Sequence, residues 1–460
     1  MPFPPHELTR RFDVSGPRYT SYPTADRFVE AFSPEQLAQA LAQRRNGAAA
    51  MRVPLSLYVH IPFCQSLCYY CACHKIITTD PASGETYLRY LGRELDLYTA
   101  HLGTGQAVSQ FNLGGGSPTF LNDGELRQLM NMLRRSFRLA PGGDYSIEVD
   151  PRTVDASRLA TLAELGFNRL SFGIQDFDPA VQKAVHRIQP AEQVFSLMAA
   201  ARRMGFESIN ADLIYGLPLQ TPGSFDRTLA QVAQLRPDSI ALYAYAHQPQ
   251  RFKPQRRMDA AQLPGAGARL SMQSRSFSAL QDAGYVYIGM DHFALPEHAL
   301  AVAKRQGRLH RNLQGYSIQP DSDLIGLGVS AIGKVGATYS QNSQSLEAYY
   351  DDLEQGRLPV ARGLALSRDD LMRRSVIMAL MCQGQLEFES IELGYLIDFK
   401  SYFAAELELL DALQAQGLVE VSDTGVQVTA TGWYFVPSVA MVFDRYLQAD
   451  RTRARFSRII

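Results

Sequence analysis

Apolar positions recur with two different periods along the first half of the chain. From about residue 53 to 250, short runs of β-branched and aromatic residues alternate with longer stretches whose apolar positions return every three or four residues. The short runs predict strands at 56–60, 110–113, 145–149, 169–173, 209–214 and 239–243. Between them, Leu88, Leu91, Leu95 and Tyr98 line one face of a predicted helix, and Leu126, Met130, Leu133 and Phe137 line another, with Asn122 or Asp123 as its N-cap. Such alternation builds a parallel α/β sheet. Six βα units are too few to close an eight-stranded barrel, so an open, curved partial barrel is expected.

The pattern changes on either side. After about residue 365 it becomes helical, with Leu407, Leu410 and Leu413 ahead of Gly417, and then reads as a β-hairpin over 418–428. Helix, hairpin and closing helix predict a smaller, mostly helical, winged-helix-like domain, a shape that does not by itself imply DNA binding. Before residue 50 the stretch 15–24 is polar and aromatic with turn residues and weak periodicity. It reads either as a surface arm or as a cover for the barrel mouth. The expected division is an arm over 1–50, a main α/β domain over 51–364 and the winged-helix-like domain over 365–460.

Composition narrows the function. The 460 residues are 46% hydrophobic and 20% charged, as in ordinary globular domains. A formal net charge of -1 argues against a nucleic-acid partner, which leaves Arg451, Arg453, Arg455 and Arg458 as a solvated end. No apolar run approaches the eighteen or so residues that span a bilayer, and no secretory leader stands out. A soluble cytoplasmic protein is expected, without a membrane partner.

The cysteines then point to chemistry. Four of the five, Cys64, Cys68, Cys71 and Cys73, fall within ten residues. So close a set cannot all pair as disulfides without strain. Structural zinc sites recruit a second, distant pair of ligands, and Cys382 stands alone. The C-x3-C-x2-C spacing suits a cubane iron-sulfur cluster with three thiolates and one open iron, with a zinc knuckle as the alternative.

Other polar features fall at the predicted C-terminal strand ends, where parallel α/β folds bind ligands. These are Gly114 to Thr119, Glu148 to Pro151, Gln175, Asp212 and Tyr245 to His247. Gly115 and Gly116 allow a ligand close to the backbone, Glu148 or Asp212 can accept hydrogen bonds from hydroxyls or an ammonium, Arg187 can bind a carboxylate, and Tyr58 offers a stacking face. Taken singly, each reads more simply as a turn glycine, an ion pair or a core aromatic.

Together these features carry a resemblance. A C-x3-C-x2-C loop after the first strand, with a glycine-rich loop after the second, resembles the radical S-adenosylmethionine superfamily. Five blocks make the chain similar, nearly end to end, to the family of oxygen-independent coproporphyrinogen III oxidases. They are Gly16 to Thr24, Leu57 to Cys64, Asp212 to Pro218, Gly289 to Ala294 and Leu309 to Tyr316. The haem-chaperone branch, the alternative function, usually has an aromatic residue at the position of Cys73 and lacks the long amino-terminal segment. Ala72, His74 and Ser117 depart from the Gly, Asn and Thr of well-known members.

The resemblance implies a [4Fe-4S] cluster on Cys64, Cys68 and Cys71, with Cys73 as a nearby non-ligand. It implies S-adenosylmethionine, two molecules of it, contacting Tyr58, Gly115, Gly116, Ser117, Glu148, Gln175, Arg187, Asp212, Ala246 and Ile332. The expected substrate is coproporphyrinogen III, whose two propionates become vinyl groups. Tyr58, Cys73 and Arg311 are the expected catalytic groups, with Arg18 and Arg311 as carboxylate anchors assisted by His292 and His310. A separate electron donor and electron acceptor, and a monomeric chain, complete what the family implies.

Overall fold

The computed structural model describes residues 3–12, 14, 16–47 and 53–449; the arginine-rich end lies outside the described residues. The chain divides into two compact units: Phe28–Arg269 with Ser322–Ala365, and Met1–Arg27 with Leu270–Asp321 and Leu366–Ile460.

In the first unit all six expected strands form: β1 (Leu55–Ile61), β2 (Gln106–Gly115), β3 (Phe137–Val149), β4 (Arg169–Gln175), β5 (Ser208–Tyr215) and β6 (Ser239–Ala244). Each runs parallel to the next in chain order. The strands that extend most beyond their predicted ends, β2 and β3, do so through polar or turn-forming residues such as Gln106, Ser109 and Gly142, which mask the apolar signal. Four more strands extend the sheet: β7 (Leu324–Leu327) joins β1 in parallel, and β8 (Ile332–Val335), β9 (Thr338–Asn342) and β10 (Val360–Ala365) follow antiparallel. They are short, and β7, β8 and β10 each carry a glycine that weakens a period-two pattern. Gly326 needs to be one of them, since a Cβ there would stand 2.4 Å from the Ile332 carbonyl oxygen.

Side-chain parity positions the site. Ile147 and Val149, Leu170, Phe172 and Ile174, and Ile209, Ala211 and Leu213 are buried core. Their neighbours Glu148, Ser171, Gly173, Gln175, Asn210 and Asp212 therefore point to the opposite face, where they are only partly covered. The core face is sealed by helices. Helix Ala82–Leu102 buries Leu88, Leu91, Leu95 and Tyr98; helix Asp123–Ser136 buries Leu126, Leu129, Met130 and Leu133. Asn122 is the N-cap of the latter, in a capping box with Glu125. Phe137, placed by periodicity on that helix, instead opens β3.

In the second unit most described residues of the polar amino-terminal stretch, Gly16, Pro17, Tyr19 and 21–23, are buried rather than laid on the surface. Tyr19 donates its hydroxyl to Asp444 Oδ2 at 2.9 Å, and the Tyr22 hydroxyl accepts from Arg445 N at 3.3 Å. The carboxyl-terminal region follows a winged-helix order. Helix Arg368–Gln383, strand Gln385–Glu387, and helices Phe388–Tyr395, Phe399–Tyr402 and Ala404–Gln414 precede strands Val419–Val421 and Gly425–Val428. The last two strands are the expected hairpin, and Gln385–Glu387 pairs with Gly425–Val428.

One buried carboxyl ties the first unit together. Glu94, on helix Ala82–Leu102, accepts from Gly328 N at 2.7 Å, Asn342 Nδ2 at 2.7 Å and the Tyr349 hydroxyl at 2.6 Å. Burial nevertheless pushes it up to about 7 from its ordinary 4.5. The folded state thus holds a proton that the unfolded chain releases, so this contribution to stability is complete below about pH 4.5 and is lost as pH rises to about 7. The loss is roughly 3 kcal/mol. In urea unfolding at a series of pH values, Glu94→Gln is expected to flatten the fall in stability across that window; an unchanged slope would show that Glu94 does not titrate in the fold.

Candidate functional site

The site forms in the first unit, on the partly covered face and at the C-terminal ends of β1 to β6. At β1, Tyr58 and His60 share a hydrogen bond of 3.0 Å, and His60 Nε2 lies 3.1 Å from the His74 carbonyl. A carbonyl only accepts, so Nε2 carries the proton and Nδ1 accepts from Tyr58. Burial, with His74 nearby, lowers His60 to about 4, which keeps it neutral. Burial, and then the charge of Glu148, holds the Tyr58 phenol well above its usual range.

The glycine loop after β2 is packed against the cysteine loop so closely that side chains are excluded. A Cβ on Gly116 would stand 2.5 Å from Pro62 O and 3.0 Å from Cys64 Sγ; one on Gly115, whose φ is +122°, would stand 2.7 Å from Ile61 O. A Cβ on Gly114 would stand 2.7 Å from Glu148 Oε1. The backbone is drawn in by Gly116 N donating to Ile61 O at 2.8 Å and Gly115 N donating to Glu148 Oε2 at 3.2 Å. Ser117 is buried, its hydroxyl 3.3 Å from that of Thr119.

Three carboxyls at this mouth have different environments. Glu148 is raised to about 7 by burial and then by the charge of Asp212. Asp212 accepts from Ser171 Oγ at 3.0 Å and Asn210 Nδ2 at 2.9 Å, yet burial still lifts it to about 6. Asp150, at the end of β3, is the opposite case. Burial works against its charge, but Arg187 and Arg152 hold it below its ordinary range. Arg152 Nη2 donates to Asp150 at 2.7 Å, and Arg187 Nη1 at 3.3 Å.

Those two guanidiniums also reach the cysteines. Arg152 Nη2 lies 3.4 Å and Arg187 Nη1 3.5 Å from Cys68 Sγ. The loop itself is fastened from outside: Tyr69 N donates to Val185 O at 3.0 Å, His186 Nδ1 meets Leu67 O at 2.9 Å, and the Tyr69 and His186 rings stack 5.0 Å apart. Lys75 Nζ donates to Cys71 O at 2.9 Å. Cys73 donates to Cys71 and, with Lys75, brings that thiol down to about 6 against burial, whereas burial pushes Cys64 up to about 12.

These residues fit a cluster and its nucleoside partner. No disulfide engages Cys64, Cys68 or Cys71. Among the described residues no three His, Cys, Asp or Glu side chains are grouped to hold a single metal ion, and a cubane asks for something else, one thiolate on each of three irons. Two buried atoms without a hydrogen-bond partner, Gln175 Oε1 at the end of β4 and Nε of Arg187, whose guanidinium reaches Cys68, provide an acceptor and a donor for a polar ligand. Gln175 is held at φ +65° by a bulge at the end of β4. Ala246 lies in the loop after β6, tied by Gln255 Nε2 both to its own carbonyl and to that of Tyr70, at 3.2 Å each. Ile332 opens β8, against Gly326, which pairs in register with Tyr58.

The structure thus brings Tyr58, Cys64, Cys68, Cys71, Cys73, the glycines, Ser117, Glu148, Gln175, Arg187, Asp212, Ala246 and Ile332 onto one unit. Arg311, Arg18, His292 and His310 lie on the other. There Arg311 Nε donates to Arg18 O at 3.1 Å, its guanidinium sits 4.5 Å over Tyr316, and its Nη1 is buried without a hydrogen-bond partner. Arg18 is ion-paired with Asp291, and burial with the charges of Arg311 and Arg18 lowers His292 to about 3. Burial also lowers His310. His60, Arg152, His186 and Gln255 were missed by sequence reasoning. Arg152 follows the acidic end of β3 and was in principle legible; His186 acts from a left-handed turn, φ +55°, that no local pattern announces.

The fold and the thiol loop define a radical S-adenosylmethionine enzyme: the model of the radical SAM superfamily matches residues 58–232, and that of the HemN C-terminal domain matches residues 366–435. The chain is 50% identical over 456 residues to the oxygen-independent coproporphyrinogen III oxidase of Pseudomonas aeruginosa, covering 99% of this chain and 98% of that one. The Escherichia coli oxidase is 46% identical over 453 residues, covering 98% of both. The solved structure of coproporphyrinogen III oxidase (HemN) from Escherichia coli, described as a radical SAM enzyme, superposes with a TM-score of 0.89 at 46% identity, covering 93% of this chain and 97% of that one. The chain belongs to the oxygen-independent coproporphyrinogen III oxidase family.

Because a Cβ at Gly116 has no room, Gly116→Ala should bind less than about half the wild-type iron and sulfide on anaerobic reconstitution, with an unchanged far-ultraviolet circular dichroism spectrum. Full incorporation would mean that the cysteine loop can shift away from β2 at little cost.

Proposed function

We propose that the chain converts coproporphyrinogen III to protoporphyrinogen IX without oxygen, by oxidative decarboxylation of two propionate side chains in haem biosynthesis. The observation that carries this reading is the cysteine loop packed without clearance on the glycine loop at the sheet mouth, in a chain similar end to end to known oxidases. When bound, the [4Fe-4S] cluster and S-adenosylmethionine supply one electron and a 5'-deoxyadenosyl radical, which takes hydrogen from the β-carbon of a propionate before carbon dioxide and an electron leave.

The chain's own residues provide the setting. Cys64, Cys68 and Cys71 hold the cluster. Arg152 and Arg187 direct N–H groups at the Cys68 sulfur and orient it. Gly115, Gly116 and Ser117 admit the methionine end of S-adenosylmethionine, and Glu148, Gln175 and Asp212 receive its ammonium and ribose hydroxyls, with Ala246 and Ile332 closing the sides. Tyr58 stays protonated and donates to His60, and Cys73 serves beside Cys71 without ligating iron. In the other unit, Arg311 presents a buried cation suited to a substrate carboxylate. Two propionates require two hydrogen abstractions, hence two molecules of S-adenosylmethionine per substrate. Residues 51–364 carry the catalysis, with 1–50 as an arm and 365–460 as an accessory domain. No helix among the described residues is long and apolar enough to cross a membrane, and the chain works as a cytoplasmic monomer with a separate electron donor and acceptor.

Two measurements test this. In an anaerobic assay with reconstituted protein, reductant, S-adenosylmethionine, coproporphyrinogen III and a crude extract as acceptor, mass spectrometry should find two vinyl groups formed, and none with Cys64→Ser. Formation of 5'-deoxyadenosine without vinyl product would point to another substrate, and retention of haem without turnover to a chaperone. Secondly, Asp212 loses its charge as pH falls through about 6, so binding of S-adenosylmethionine should weaken over that range. Asp212→Asn should weaken it roughly tenfold at pH 7.5 and flatten the profile; a profile of unchanged shape would remove Asp212 from the site.

A further inference from the structure

From the start of β6 the chain runs from residue 239 to 258 without an acidic side chain, and in the loop after the strand Arg251, Lys253, Arg256 and Arg257 gather in seven residues. All four are exposed. With a net charge of -1 for the whole chain, this is a local concentration and not a general surplus. The first acid to follow, Asp259, accepts from Ala261 N at 2.9 Å and caps its own turn.

This loop is fixed over the cysteine loop. Gln255, 1% exposed in the middle of the basic run, donates at 3.2 Å to the carbonyl of Tyr70, which lies between Cys68 and Cys71. Met258 packs with Val181, Val185, Leu217 and Tyr245, and Tyr69 and Tyr70 lie against that cluster. The Arg257 guanidinium stands 5.6 Å from the centre of the Tyr69 ring. The basic side chains therefore lie on the surface of a loop that is fastened to the stretch between Cys68 and Cys71, where Cys68 is buried.

We propose that loop 251–257 is the docking surface for an acidic one-electron carrier protein that reduces the cluster, an inference that rests on the cluster reading above. The carrier is oxidised by one electron and the cluster reduced by one, with no bond made or broken. Charge complementarity selects an acidic partner and speeds its encounter, by 10-fold or more at low salt. Gln255 keeps the patch in register with the cysteine loop, so a docked carrier is held on the side nearest the thiols.

The test uses the full reconstituted protein and a plant-type [2Fe-2S] ferredoxin as the acidic probe. Biolayer interferometry reads binding of oxidised ferredoxin at about 20 mM and about 300 mM salt, and 5'-deoxyadenosine formation is followed with reduced ferredoxin or with reduced methyl viologen, a cationic mediator. The triple variant Arg251→Glu, Lys253→Glu, Arg256→Glu should bind ferredoxin at least about 10-fold more weakly at low salt and lose the salt dependence. Its viologen-driven rate should stay within about twofold of wild type, because viologen needs no basic surface. Should that variant fail to fold, the matching triple change to Gln must give the same ordering of effects. Unchanged ferredoxin binding, or parallel loss with both reductants, overturns the proposal. A wild-type protein that forms no 5'-deoxyadenosine even with viologen overturns the cluster reading, and this inference with it.

Discussion

The mouth of the sheet is organised around one carboxylate, Asp150. Two guanidiniums, those of Arg152 and Arg187, are brought within 3.5 Å of a single sulfur, Cys68 Sγ. Two like charges so close and so little exposed repel each other, and each has lost most of its water. Asp150 lies between them and hydrogen-bonds both, which offsets the repulsion and fixes where their remaining N–H groups point. Without that anion Arg187 would be a fully desolvated charge facing a thiol and a carbonyl. With it, both guanidiniums keep an N–H group turned toward Cys68 Sγ. The proline that follows Asp150 starts a short turn and carries Arg152 back toward the cysteine loop.

A contrast follows between carboxyls on neighbouring strands. Asp150 has cations and stays charged. Glu148 and Asp212 face the more polar side of the sheet with only neutral donors in contact, and burial lifts both toward neutrality. Environments that push similar groups apart in this way mark different duties. Asp150 is committed to structure, since its charge is already compensated. Glu148 and Asp212 lack a cation of their own, and a ligand ammonium entering the site supplies what burial has removed. The glycine loop is part of the same arrangement, because Gly115 N is the backbone donor that orients Glu148.

Much of this was legible in the sequence, for a physical reason: a parallel sheet buries one parity of residues and sends every strand's C-terminal loop to one edge. Once alternating strands and helices were recognised, the cysteine loop, the glycine loop, Glu148, Gln175 and Asp212 had to converge. Asn122 as N-cap and the hairpin over 418–428 were legible through turn chemistry. Less legible were β7 to β10, which are short and in three of which, β7, β8 and β10, a glycine serves close packing and weakens the strand pattern. The burial of Tyr19 and Tyr22 was hidden because their partners, Asp444 and Arg445, lie more than 400 residues away. Asp150 and Arg152 were visible as residues, but the meeting of two guanidiniums at Cys68 depends on Arg187, which arrives from a third element.

The two faces of the cysteine loop explain why this segment needs so much support. A short loop with four cysteines lies mostly outside regular structure, and its backbone groups must find partners elsewhere. On the inner side the glycine backbone, Arg152 and Arg187 meet it. On the outer side Val185, His186 and Gln255 take its exposed carbonyls and N–H groups. Each outer contact comes from an element that also contributes inward: His186 precedes Arg187, and Gln255 is tied to Ala246. Rigidity of the thiols and placement of the surrounding polar groups are thus set by the same few backbone positions. A change that loosens the outer fastening is transmitted to the inner groups through one or two peptide units.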